Sequence, residues 1–157
     1  MARTARRYGK SRLTLVKIDG LDTIDIDKNA IDELTRAFFG SLANIGGVVP
    51  NLDVLYEILL PEAIVIKNIK ALPVVYDVKG FVEPRRALLT DGSLVDFSEE
   101  ETSEQTGIFG NIAQRFSRYK KSWSADGVSF SGSGTNSFQF VRTSAGWKIA
   151  SVVWDDD

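Results

Sequence analysis

From Ile24 to Asn44 the apolar side chains Ile31, Leu34, Phe38 and Leu42 recur every three or four residues, the interval at which an α-helix returns to one face. Asp25 or Asp27 can cap its start, so the spacing predicts one long amphipathic helix that Gly46, Gly47 and Pro50 bring to an end. Asn51 can cap a short second helix with Leu52, Leu55, Tyr56 and Leu59 along one side, stopping at Pro61. "EAIVIKN" (62–68) and "LPVVYDV" (72–78) read as strands. Phe81, Val82, Arg85, Leu88 and Leu89 predict a third helix, with Pro84 tolerable only near its first turn.

Past Gly92 the pattern changes to long strands at 94–105, 108–123, 128–142 and 147–154, the later ones separated by the turn sequences "ADG" and "TSAG". This is an antiparallel meander. The last strand is apolar on both sides: Ala150, Val152 and Trp154 alternate with Trp147, Ile149 and Val153, so it needs two partners. Closing the "TSAG" turn pairs Arg142 with Trp147, Phe140 with Ile149, Phe138 with Ser151 and Asn136 with Val153, and opposed residues point the same way. One face then carries Arg115, Ser117, Tyr119, Trp123, Asn136, Phe138 and Ser151, with Asp155 sharing its parity. Being rich in aromatic residues, it is the face that should take the long helix. The opposite face carries Phe116, Val141, Val152 and Trp154.

Polar groups beneath a helix must be satisfied, so Arg115, Ser117, Tyr119, Asn136 and Ser151 either line a wet pocket or bond one another as a structural network. Arg115, Tyr119, Trp123, Asn136, Phe138, Ser151 and Asp155 are the candidate ligand-binding residues. A covered guanidinium also needs a counter-charge, for which Asp155 is the first candidate and Glu99 or Glu101 the second.

Composition narrows the chemistry by subtraction. With no cysteine and no histidine among 157 residues, the chain has no disulfides, no thiol nucleophile, no His-based triad and none of the usual zinc ligand sets; no metal and no cofactor are expected. The net charge of −2 is unevenly laid out, because Arg3, Arg6, Arg7, Lys10 and Arg12 crowd the beginning. Residues 1–22 read as a basic leader, partly disordered or an edge strand, ahead of a single domain at 23–157. No aromatic and basic interleaving continues into the body, so neither nucleic acid nor a membrane is an expected partner. No apolar run reaches the length of about 18 residues that a membrane span requires, and the leader lacks the apolar region of a signal peptide, so the expected location is cytoplasmic. "GSGTNS" (132–137) lacks the third glycine of a dinucleotide fingerprint, and its glycines suit a bend or bulge in a long strand. "SEEETSE" reads as a solvated edge and the terminal Asp triplet as a frayed tail.

The order of elements, with "AFFGSLANIGGVVPNLDVLYEILLPEAIVIKN" early and "FGNIAQRFSRYKKSW", "GSGTNSFQFVRTSAGWKIASVVW" and "DDD" late, resembles the nuclear transport factor 2-like (NTF2-like) superfamily, particularly its SnoaL-like branch, over roughly residues 24–155. The resemblance implies a cone-shaped α+β (cystatin-like) fold with helices packed on a strongly bent antiparallel sheet, a pocket in the concavity, and a homodimer formed through the outer sheet face. Its members include enzymes, binding modules and inactive subunits, so the fold selects no activity. The His-dependent chemistry of its dehydratases and many of its cyclases is out of reach here. A pattern of one Tyr and two carboxylates, as in the steroid isomerases, requires acids that project into the cavity, for which Asp155, Glu99 or Glu101 qualify. The leading expectation is a module that binds a small apolar or aromatic ligand, with room for an anionic or carbonyl group. The alternatives are an isomerase, cyclase or hydrolase with a carboxylate base and Arg115 or Tyr119 stabilising an oxyanion, and an interaction subunit with a filled cavity.

Overall fold

The computed structural model describes residues 23–157; the basic leader lies outside the described residues. Helix α1 (Thr23–Gly40) places Ile31, Thr35, Phe38 and Phe39 on its buried side, as its apolar spacing dictates. Asp25 and Asp27 lie inside it instead of capping it. Asp27 is buried, accepts a hydrogen bond from Trp147 Nε1 at 3.0 Å, and pairs with Arg142. The helix ends at Gly40, before the predicted Asn44, which has a different task. Asn44 Nδ2 donates to the carbonyls of Leu89 (2.9 Å) and Leu94 (2.7 Å), while its Oδ1 accepts from the Phe97 amide at 2.7 Å.

Helix α2 (Asp53–Ile58) has Leu52 at its N-cap and no side-chain cap, so Asn51 does not play that part. Strands β1 (Leu59–Lys67) and β2 (Val74–Tyr76) follow, and then α3 (Val78–Thr90), whose Asp77 cap accepts from the Gly80 amide at 2.7 Å. Pro84 lies well inside α3, contrary to the first-turn expectation; Phe81, Val82 and Leu89, buried on either side of it, hold the helix against the core.

The long strands are β3 (Val95–Phe109), β4 (Ile112–Ala125), β5 (Val128–Thr143) and β6 (Gly146–Asp156). The six strands form one sheet in the order β2-β1-β6-β5-β4-β3. It is mixed, not wholly antiparallel, because β1 runs parallel to β6. Residues 112–154 are three consecutive antiparallel strands, as their two turns predict. The β3–β4 turn falls at Gly110 and Asn111, where Gly110 supplies a φ of 57°, and not at the predicted break before Ile108.

One register expectation fails. Arg142 pairs with Trp147 and Phe140 with Ile149 as predicted, but a bulge beside Ala150 then shifts β6, so that Phe138 faces Val152, Asn136 faces Trp154 and Gly134 faces Asp156. A one-residue slip exchanges the two faces of a strand. Val152, Trp154 and Asp156 therefore stand on the helix-covered side with Tyr119, Asn136 and Phe138, while Ser151, Val153 and Asp155 pair along the other side. Val152 is fully buried. In contrast, β4 and β5 pair without interruption from Ile112 opposite Val141 to Ala125 opposite Val128, so "GSGTNS" contains no bulge.

Candidate functional site

Two cavities open on the covered face. The larger contains Arg115 and lies between α1 and β3, with a volume of about 540 Å³. Arg115 is 2% exposed and fully engaged. Its Nε donates to Glu101 Oε2 at 2.9 Å, Nη2 to Glu101 Oε1 at 2.5 Å, and Nη1 to Asp32 Oδ1 at 2.6 Å and Thr106 Oγ1 at 3.1 Å. Ser117 donates to Glu101 Oε2 at 2.5 Å, and Lys28 joins Asp32 (2.7 Å) to Glu104 (3.0 Å). A guanidinium held by Glu101 in fork geometry and by Asp32 on its remaining side has little left to offer a ligand. The predicted partner Asp155 points away on the other face. Glu101, the second-choice partner, is present, and Asp32 is an addition that only the tertiary fold could reveal.

The other cavity, about 450 Å³, lies between α3, the end of α1, and strands β1 and β3 to β6. Phe38, Leu42, Phe81, Leu88, Leu89, Leu94, Phe97 and Trp154 supply apolar walls; Lys67, Tyr76, Arg85, Glu99, Tyr119, Lys121, Asn136 and Asp156 supply polar groups. Asn44 fixes its floor by tying the end of α3 to the start of β3.

Glu99 is the titratable centre of this cavity. Burial pushes its carboxyl up to about 7, and the negative Asp156 pushes the same way, while Lys121, Asn136 and Arg85 oppose the shift in part. Asp156 accepts from the Tyr119 hydroxyl at 2.5 Å and from Lys121 Nζ at 2.8 Å. Burial and that hydrogen bond raise the Tyr119 phenol above its ordinary value, so it remains a donor committed to Asp156. Asn136 is 3% exposed, and its Nδ2 has no hydrogen-bond partner within bonding geometry among the described residues, although it is near enough to Glu99 to favour the carboxylate. Gly134 makes room for this arrangement: a Cβ there would stand 2.3 Å from the Tyr119 hydroxyl and 2.4 Å from the Asp155 carbonyl.

Of the seven residues expected to bind a ligand, Tyr119 and Asn136 line this cavity. Arg115 lines the other one. Phe138 is wholly buried, packed edge-on against Phe38 at 5.3 Å between ring centroids. Trp123 stacks on Phe130 at 5.6 Å, beyond the cavity lining. Ser151 and Asp155 are corrected to the outer face, because the β6 bulge turned them there. Glu99, named only as an acid that could enter the cavity, does line it, whereas Arg85, Lys121, Trp154 and Asp156 were missed. "SEEETSE" is no solvated edge, since Glu101 and Glu104 bond inward to the Arg115 network and Glu99 lines the cavity, leaving Glu100 to pair outside with Lys120 at 2.6 Å. Nor is the terminal triplet frayed: Asp157 is gripped by Arg118 (2.9 and 2.8 Å) and Ser133 (2.5 Å).

Helices packed on a six-stranded mixed sheet, with β1 parallel to β6, are also the architecture that known structures share with this chain. A protein of Kribbella flavida superposes with a TM-score of 0.72 at 15% identity, covering 85% of this chain and 93% of its own. An NTF2-like superfamily protein of Salmonella enterica serovar Typhimurium gives 0.70 at 13%, covering 85% and 93%. An NTF2-like protein of Novosphingobium aromaticivorans, described as having a cystatin-like fold, gives 0.62 at 19%, covering 86% and 90%. The chain has the NTF2-like fold. No family model matches this sequence, and no curated protein does. No helix among its described residues is long and apolar enough to cross a membrane.

Proposed function

We propose that this NTF2-like chain binds a small, largely aromatic or apolar molecule in the 450 Å³ cavity, with a hydrogen-bond acceptor of the ligand against Asn136 Nδ2. The observation that carries this reading is that buried amide donor, which lines an apolar cavity without a partner among the described residues. Leaving such a donor unmet costs about 1–3 kcal/mol, a cost that an acceptor on a ligand removes. ¹⁵N NMR with a panel of small aromatic amides and ketones tests it. The expected shifts cluster at Leu88, Phe97, Asn136 and Trp154; shifts confined to the outer sheet face would overturn it.

Glu99 favours a second reading, proton transfer. With a carboxyl near 7, its ionised form can take a proton from the carbon next to a ligand carbonyl, while Asn136 Nδ2 bonds the oxygen that becomes enolate; the proton then returns from Glu99 to carbon. Tyr119 does not serve as the oxyanion donor, because its proton is held by Asp156. Exchange of the α-hydrogens of 1-indanone in D₂O, followed by NMR, should be accelerated by the protein and not by Glu99→Gln. Equal rates with both would rule this reading out.

A homodimer through the outer sheet face belongs to the same proposal. Phe116 (49% exposed) and Ile112 (58%) on β4 and Ile64 (46%) on β1 lie on the outer side of the sheet, with Val141 of β5 and Val153 of β6 on the two strands between them. A second copy covering these side chains would remove them from water. Val153 takes the place of Val152 and Trp154 in this surface, beside Phe116 and Val141, which keep their expected side.

A further inference from the structure

A guanidinium taken from water needs a counter-charge. Arg115 has several carboxylates around it, whereas Arg85 makes no ion pair among the described residues. Three rings hold Arg85 instead: its guanidinium carbon lies 3.8 Å from the ring centre of Phe81, 5.4 Å from that of Tyr76 and 5.6 Å from that of Trp154. Its one hydrogen bond to the backbone is from Nη1 to the Phe81 carbonyl, at 3.1 Å. Cation–π contact offsets part of the desolvation cost but uses none of the N–H donors in the ring plane of the guanidinium. The Tyr76 side chain and, more weakly, Glu99 also attract the guanidinium, but no carboxylate pairs with it, so Arg85 brings into the cavity wall a positive charge that is positioned and not paired by an ion.

The rest of the lining points the same way. Lys67, Arg85 and Lys121 face Glu99 and Asp156, in a chain whose overall net charge is −2. Lys121 is committed to Asp156 by two contacts of 2.8 Å. Burial favours the neutral form of Glu99, so the unspent charge in the cavity is positive.

We propose that Arg85 is the anion anchor of the cavity and that the ligand is an aromatic carboxylate, its ring among Leu88, Leu94 and Phe97 and its carboxylate on the Arg85 fork. This rests on the reading of the cavity as a ligand site and names the class of ligand. A planar fork matches a carboxylate with two N–H donors, which an amide of the same shape cannot accept equally.

The test compares 2-naphthoate with 2-naphthamide, two probes of one shape differing in charge, by calorimetric titration of the full chain. Hydrogen bonds to a charged group are worth enough that naphthoate should bind roughly tenfold or more tightly than naphthamide. Arg85→Met should abolish that preference, bringing the two affinities together, and Lys67→Met should retain it. Equal affinities in the wild-type protein, a measurement that needs no variant to fold, would overturn the anchor while leaving the ligand site standing. A preference that survives Arg85→Met and is lost in Lys67→Met would also overturn it. Binding of neither probe would overturn both the anchor and the site.

Discussion

Replacing Glu99 by Gln should stabilise the protein, and by more at high pH than at low. In the folded chain burial raises this carboxyl from its ordinary 4.5 to about 7. The folded state therefore binds the proton more tightly than the unfolded state does, and the stability associated with it is fully present below 4.5 and lost as pH rises through 7. At about 1.4 kcal/mol for each pH unit, the loss amounts to about 1 kcal/mol at pH 5 and about 3 kcal/mol at pH 8. Gln has the shape of the protonated acid and does not ionise, and its carbonyl can accept from Asn136 Nδ2, so it escapes this loss at every pH. Urea unfolding of both proteins at pH 5 and pH 8 measures the difference. The variant should gain about 2 kcal/mol more at pH 8 than at pH 5. An advantage that is the same at both pH values would mean that Glu99 titrates like a hydrated carboxyl and that the cavity does not bury it.

Other perturbations separate scaffold from site. Arg115→Met should cost roughly 3–5 kcal/mol in urea unfolding, since Glu101 and Asp32 lose their shared cation, while cavity ligands bind as before. Gly134→Ala should cost roughly 1–3 kcal/mol and break the Tyr119–Asp156 hydrogen bond, which a shift in the Tyr119 ring resonances would report. Phe116→Asp should convert a dimer to a monomer in light scattering with little change in far-UV circular dichroism, whereas Val152→Asp should unfold the chain because Val152 is buried. If Glu99 acts as a base, the rate of 1-indanone exchange should rise with pH through about 7 and level off above it, following the fraction ionised.

The elements were legible because local patterns determine them. The three-to-four spacing of Ile31 and Phe38 and the alternation around Arg115 and Tyr119 survive any tertiary context that buries one face. The site was less legible because it depends on register. A single extra residue near Ala150 turned Trp154 and Asp156 inward and Ser151 and Asp155 outward, and no glycine or proline marks that position. Glu99 was legible as an acid that could enter the cavity, but its place opposite Lys121 on the face of Tyr119 depends on a second bulge, between Glu101 and Ser103; closing the β3–β4 turn at Gly110 and Asn111 alone would set it opposite Ser122 on the other face. Arg85 was legible only as a position on the apolar stripe of α3, with Phe81, Val82, Leu88 and Leu89; its role was not, because only the approach of Tyr76 and Trp154 encloses it. The need of a covered arginine for a counter-charge was sound, but the folded chain meets that need at Arg115 and leaves it open at Arg85.

Occupancy of the 450 Å³ cavity is the point on which the functional reading turns. A crystal structure grown with 2-naphthamide measures it directly, because that neutral probe reports on the site whatever the role of Arg85. The expected electron density places the ring against Leu88, Phe97 and Trp154, with the amide oxygen within hydrogen-bond distance of Asn136 Nδ2. Density for water alone in the cavity, or for the probe only on the outer sheet face, would contradict the assignment of this cavity as the ligand site.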